Sequence, residues 1–225
     1  LRYRKLSKAL STYIKGIFPL LEEGTDRVHP EWNTCGTDGS RWACTRPSLM
    51  NVPVELRKLY IPDEGYTFYG ADYRNLEFYV AGLLAEEYEI VEKIQRGEDI
   101  HEEIRQEARK YYPSITRSQA KAVVFGTIYG RSPRSIAIDL GIPIEAAKRL
   151  QELCMRRFPK LVERRKKQLW FWQKHGYVES FHGRRKYCNK PTEALNSSIQ
   201  STAAEVAINA LLKLEEAGHR PVILV

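Results

Sequence analysis

The 225-residue chain is poor in sulfur and has no long apolar run. Its four cysteines, Cys35, Cys44, Cys154 and Cys188, include no Cys-x-x-Cys pair. That excludes the common zinc spacings and offers no disulfide framework, so a reducing cytoplasm is the simplest setting. No stretch approaches the ~18 consecutive apolar residues of a membrane span. No secretory leader opens the sequence, and there is no internal repeat or low-complexity tract. An initiator methionine is also lacking, since the chain begins Leu1-Arg2-Tyr3-Arg4-Lys5; this suits a fragment or a processed product. Acids are the minority charge: 28 Asp and Glu stand against 36 Lys and Arg, a net +8. A positive excess favours a polyanionic partner, because each phosphate neutralised releases counterions. The 43% of hydrophobic residues is enough for a packed core.

Residues 5–21 read as an amphipathic helix. Residues 24–65, rich in Gly, Pro, Asn, Asp and Thr, read as loops and short strands. The aromatic run Tyr66-Thr67-Phe68-Tyr69-Gly70-Ala71-Asp72, bounded by Gly65, predicts a buried strand that ends on an acid. From Leu76 to about Trp172 the pattern is helical, in several pieces. Thr116-Arg117-Ser118-Gln119 has the form of a capping box, and Pro143 sits near the first turn of a later helix, where its missing N–H costs nothing. Tyr177 to Phe181, then His182-Gly183, then Arg184 to Tyr187 predicts a β-hairpin with a basic return strand. A long helix follows from about Thr192 to Ala217, and Pro221 to Val225 reads as a strand.

Arg117, Lys121, Phe125 and Tyr129 are spaced by four, so they drift by only about 40° per step along one helix face. Two cations lead and two aromatics follow. The leading end also carries free backbone N–H groups and the positive end of the helix dipole, which together make an anion site. A nucleoside triphosphate has this polarity, with phosphates at one end and a flat base at the other. The spacing alone better fits a solvated basic start with an aromatic core stripe. The complete string Arg117-x-x-x-Lys121-x-x-x-Phe125-Gly126-x-x-Tyr129-Gly130 resembles motif B of family A DNA polymerases, which lies on the fingers helix that closes over the incoming nucleotide. The resemblance implies that Arg117 and Lys121 hold the triphosphate, with the catalytic Lys121 nearest the reacting and leaving phosphates. Phe125 would stack on the nucleotide, Gly126 would admit the nascent pair to the backbone, and Tyr129 would pack near the templating position.

Phosphoryl transfer between nucleotides uses hard divalent ions held by carboxylates. Asp72-Tyr73-Arg74-Asn75-Leu76-Glu77 resembles motif A of the same family, usually Asp-Tyr-Ser-Gln-Ile-Glu. It implies that Asp72 is a catalytic ligand of two Mg²⁺ ions, with the Tyr73 backbone carbonyl as a second donor. Glu77 would be the steric gate against a ribose 2′-hydroxyl, hydrogen-bonded to Tyr129. Taken alone, Asp72 reads as a helix N-cap and Glu77 as a surface charge. Arg74, Asn75 and Tyr79 depart from the family pattern, where Ser, Gln and Arg are usual. Asp99-Ile100-His101 after Gly97-Glu98 resembles Gly-x-Asp-Ile-His, in which His101 would meet the outer phosphates and complete a cationic clamp. A histidine's charge varies near neutral pH.

Further segments resemble the family's DNA contacts. Ser40-Arg41-Trp42 through Pro47 to Pro53 is similar to the primer-groove segment, with Arg41 and Asn51 as the matching positions. Minor-groove acceptors are nearly the same for every base pair, so such contacts sense pairing without reading sequence. Met50 stands where Gln is usual. Asn196 and Gln200, four apart and hence on one face, match the palm helix that touches template and primer. Ser201 there replaces Gly, and Thr192 stands where a basic residue is frequent. Gly183-Arg184-Arg185-Lys186-Tyr187 resembles a DNA-contacting hairpin. The run Arg164-Arg165-Lys166-Lys167 reads as a solvated helix face that could meet template phosphates.

These matches are collinear over nearly the whole chain. They imply an α/β right-hand polymerase fold: an antiparallel palm sheet carrying Asp72, helical fingers, a partial thumb base and a truncated palm. The expected division is thumb base and palm in 1–85, fingers in 86–190, and palm helix in 191–225. The expected partners are primer-template DNA and dNTPs, with no membrane, in the cytoplasm, a nucleoid or a phage-infected cell. The family's motif C, His-Asp-Glu, normally follows an apolar strand such as Val222 to Val225, where the sequence stops. A fragment, a split enzyme with a second polypeptide supplying motif C, or an inactive remnant all fit, and this chain alone is expected to polymerise poorly or not at all. A single-subunit RNA polymerase relative and a non-catalytic DNA-binding or assembly subunit are the alternatives. Glu77 argues against the first, and the intact clamp residues argue against the second.

Overall fold

The computed structural model describes residues 2–34, 36–37 and 41–221. Cys35, Ser40 and the strand expected at the C-terminus, from Val222 onward, lie outside them. The chain divides into two compact units, Leu1–Asp72 with Val206–Val225, and Tyr73–Glu205. Among the described residues no helix is long and apolar enough to cross a membrane.

The first unit is largely irregular. Helix α1 (Arg2–Lys8) widens into a π-type stretch over Ala9–Lys15. The helix is where the sequence places it, but its apolar stripe is not buried. Leu6, Leu10 and Phe18 are exposed, and Tyr13 packs beside Cys44, Leu49 and Val52. Strands β1 (Glu31–Asn33) and β2 (Ala43–Thr45) pair antiparallel, with Trp32 opposite the buried Cys44.

The strand expected over Tyr66 to Asp72 does not form. This stretch is irregular and exposed throughout, and Tyr69 is 94% exposed. Aromatic content favours a strand only where a pleated, half-buried surface exists to pack on, and a strand needs ladder partners. Both two-stranded sheets of the described residues leave this segment unpaired. Asp72 is also not a helix cap. That position falls to Asn75, at φ 55° and ψ 36°, a left-handed conformation that Asn tolerates better than most residues.

The second unit is helical. It holds α2 (Leu76–Ala85), α3 (Tyr88–Gln95), α4 (Ile100–Ala108), α5 (Arg117–Ile128), α6 (Pro133–Leu140), α7 (Ile144–Arg157) and α8 (Pro159–His175). Then come strands β3 (Tyr177–Glu179) and β4 (Arg185–Tyr187) and the long helix α9 (Pro191–Glu216), which continues into the first unit. Pro143 immediately precedes α7, and its carbonyl accepts from Ala147 N–H at 3.0 Å. Helix α5 lies at the centre, against α4, α6, α7 and α8. Its Ala120, Val123 and Val124 join Phe78, Ile90, Ile104, Ile136, Leu150 and Phe158 in one core. Each such large side chain contributes roughly 1.5–3 kcal/mol by leaving water. Arg157, at the end of α7, pairs with Glu89 at 3.0 Å, with Glu103 at 2.8 Å and with Glu107, fastening α7 to α3 and α4.

Candidate nucleotide site and nucleic-acid surface

Helix α5 starts where its capping box requires. Gln119 N–H donates to Thr116 Oγ1 at 3.2 Å, and Thr116 N–H donates to Gln119 Oε1 at 2.9 Å. Gln119 Nε2 also reaches the Leu140 carbonyl at 3.2 Å, tying this end to α6. With Ala120, Val123 and Val124 facing the core, the opposite side is fixed outward. Arg117 and Lys121 are exposed, and Phe125 and Tyr129 are half-buried. Lys121 Nζ lies 5.7 Å from the Phe125 ring centroid, and the Phe125 and Tyr129 rings are 5.8 Å apart. The face is continuous from cation to aromatic.

Both ends of that face are held by acids. Arg117 Nε donates to Asp99 Oδ2 at 2.6 Å, while Asp99 Oδ1 caps α4 by accepting Glu102 N–H at 3.1 Å. The hydrogen bond from Arg117 holds the Asp99 carboxyl below its usual range against the opposing effect of burial. At the aromatic end the Tyr129 hydroxyl donates to Glu77 Oε2, joining α5 to the first turn of α2. Tyr79, where the family more often has Arg, accepts from Gln95 Nε2 at 3.0 Å.

His101 differs from its sequence reading. It is 0% exposed, its ring stacked on Phe78 at 5.4 Å and tilted against Phe125 at 5.8 Å between centroids. Both ring nitrogens lack a hydrogen-bond partner among the described residues. Burial, reinforced by the nearby Lys121 charge, lowers its pKa to about 4. It is therefore neutral at pH 7, and the cations on this face are Arg117 and Lys121. The expectation of a histidine whose charge varies near neutrality is corrected, because desolvation disfavours the imidazolium.

The glycines have packing reasons. A Cβ on Gly126 would lie 2.8 Å from Ile136 Cδ1, so its open side faces α6 and the core. Gly130 has φ +75°, and a Cβ on it would lie 2.7 Å from Leu195 Cδ1. The basic run on α8 also turns partly inward. Arg164 bonds Gln168 Oε1 at 3.1 Å and Ser198 Oγ at 3.3 Å, and Arg165 bonds the Thr127 carbonyl at 3.2 Å. Lys166 and Lys167 alone are exposed.

The expected hairpin forms, with Glu179 opposite Arg185 and Tyr177 opposite Tyr187, one residue away from the pairing a two-residue His182-Gly183 turn would set, because the connection runs over 180–184. Val178 packs with Cys188, Ala194 and Trp172. Arg184, just before the return strand, and Arg185, at its start, are exposed, and Arg185 Nε bonds Glu179 Oε1 at 3.0 Å. Asn196 and Gln200 are half-buried on α9, and Asn196 Oδ1 has no partner among the described residues. In the first unit Arg41 is exposed, its N–H donating to Thr37 Oγ1 at 3.0 Å. Asn51 Nδ2 donates to Ser48 Oγ at 2.8 Å, the turn chemistry expected of a loop.

Asp72 and Tyr73 are exposed. Among the described residues no group of three His, Cys, Asp or Glu side chains could hold a metal. Asp72 and the Tyr73 carbonyl are the hard oxygen donors Mg²⁺ takes, but they do not by themselves fit a two-ion site. The sequence reading gave no role to Phe78, which stacks on His101, or to Glu205, which holds the hairpin tip. The signals were slight: an apolar residue directly after Glu77, and an acid closing Thr202-Ala203-Ala204.

This α/β arrangement is that of a polymerase domain. The POL domain of Pol1 from M. smegmatis, solved in complex with DNA primer-template and dNTP, matches with a TM-score of 0.78 at 25% identity, over 96% of this chain and 43% of that one. A family model for DNA polymerase family A matches residues 1–222, and the chain belongs to that family. It is 31% identical to DNA polymerase I of Chloroflexus aurantiacus, over 96% of this chain and 25% of that protein. To the thermostable DNA polymerase I of Thermus aquaticus it is 32% identical, over 100% of this chain and 30% of that protein. The chain thus spans between a quarter and a third of the length of these curated relatives.

Proposed function

We propose that this chain supplies the nucleotide grip and part of the DNA-binding surface of a template-directed DNA polymerase acting in the cytoplasm. The observation that carries the reading is the outward face of α5, with Arg117, Lys121, Phe125 and Tyr129 in order and the last bonded to Glu77. The reaction is in-line attack by a primer 3′-hydroxyl on the α-phosphate of a dNTP, releasing pyrophosphate. Positioning and charge neutralisation supply the rate in such transfers. Arg117 exchanges its Asp99 partner for a phosphate oxygen, while Lys121 neutralises the charge that builds on the leaving group. Phe125 offers its ring to the nucleotide. Glu77, fixed by Tyr129, occupies the space a 2′-hydroxyl would need.

Mg²⁺ is the ion the family resemblance implies, met from this chain by Asp72 and the Tyr73 carbonyl. These donors do not complete a site for it. Arg41, Asn51, Asn196, Gln200, Arg184 and Arg185 are the proposed DNA contacts. Fingers are assigned to 86–190, thumb base and palm to 1–85, and the palm helix to 191–225. A second polypeptide supplying motif C is a further proposal, tested by asking whether one co-purifies.

The grip is tested by equilibrium binding of a labelled dNTP to the purified chain. Lys121→Ala is expected to weaken binding at least about tenfold, the ~1.5–3 kcal/mol of a charged hydrogen bond, and to leave nucleoside binding unchanged. Equal dNTP affinity in parent and variant would refute the assignment.

A further inference from the structure

We propose that Glu205 is a positioning residue that fixes the basic β3–β4 hairpin on α9 so that its arginines meet the DNA backbone. The inference rests on the reading above that Arg184 and Arg185 face DNA. The Glu205 side chain is only 16% exposed, and both its oxygens go to the hairpin tip. Oε1 accepts the Ser180 hydroxyl at 2.6 Å, and Oε2 lies 2.9 Å from His182 Nδ1. Ser180 Oγ in turn accepts Arg184 N–H at 3.1 Å, and Ser180 N–H donates to the Arg184 carbonyl at 3.0 Å. Three residues earlier on α9, Thr202 Oγ1 accepts Phe181 N–H at 2.9 Å and donates to the Ser198 carbonyl at 2.8 Å. Residues 180, 181 and 182 are thus each bonded to α9, and Arg184 is bonded to Ser180. The backbone from which the arginines leave has its position set by one carboxylate and one hydroxyl.

Charge alone predicts the opposite effect. A carboxylate near a phosphate-binding strand repels DNA, so its removal should tighten binding. A positioning role predicts that removal weakens binding, because phosphate contacts that are not held in place are lost.

The test uses the purified chain and a labelled primer-template duplex, with anisotropy followed over a range of salt. Glu205→Ala is expected to weaken binding about fivefold and to reduce the slope of log K against log salt by about 1, as Arg184→Ala does. The double variant should bind no more weakly than Arg184→Ala alone, since the two changes act through one contact. Glu205→Gln should restore binding, because its amide still offers an oxygen to Ser180. Thr202→Val loosens the same tip without changing any charge and should move affinity and slope the same way. It carries the test if circular dichroism shows Glu205→Ala unfolded. Tighter or unchanged binding by Glu205→Ala, or full additivity with Arg184→Ala, overturns the inference. A chain that binds no primer-template sinks the underlying reading as well. One that binds through Arg184 irrespective of Glu205 sinks only this proposal.

Discussion

Single residues set the pH behaviour and the sugar selectivity. His101 titrates at about 4 when folded, against 6.5 for a free imidazole. Between those values the unfolded chain binds the extra proton, so stability falls as pH drops through the window. The full loss, for a shift of this size, is about 3 kcal/mol. Asp99, its carboxyl lowered chiefly by Arg117, works in the same sense: its contribution is present above the normal carboxylate range and is lost on acidification. Urea unfolding at pH 7 and pH 4 checks the histidine effect, since in His101→Gln the difference between the two should shrink by about 3 kcal/mol. A second prediction concerns Glu77. Glu77→Ala should bring rNTP affinity to within about threefold of dNTP affinity, roughly 0.6 kcal/mol, which is below the worth of one net hydrogen bond. An unchanged preference measured by competition binding would remove Glu77 as the gate. Such side-chain states are poorly legible in sequence, because the direction of His101 is decided by Phe78 on another helix.

Elements were legible where their causes are local. The start of α5 was readable because a capping box is completed within four residues, and both of its bonds are present. Thr116→Ala should accordingly cost about 1 kcal/mol, measured as a lowered denaturation midpoint with an unchanged slope. The hairpin and α9 were readable for the same reason, as turn residues and long periodic segments declare themselves. The strand expected over 66–72 was not, because a strand exists only through partners that a local pattern cannot supply. Likewise, Arg164 and Arg165 looked like a solvated run. Only the packing of α8 against α5 and α9 shows that Thr127 and Ser198 take up their guanidinium groups.

At the scale of the whole molecule, the helical unit Tyr73–Glu205 is flanked by two segments of the other unit. The leading segment ends in the exposed irregular stretch before Asp72, which carries Tyr66, Phe68 and Tyr69. Sites of this kind are where proteases cut first. Limited chymotrypsin digestion should cleave at these aromatics before any site within α5 or α7, with mass spectrometry of the first products as the check. First cuts inside α5 would contradict the division. The two crossings between the units differ in kind, one running through irregular chain and the other through the uninterrupted helix α9. A residue gained or lost in the irregular crossing disturbs no helical or sheet register. In α9 the same change turns every later side chain by about 100° about the helix axis. Lengths can therefore drift at the first crossing during descent, whereas at the second they are locked to the helical phase.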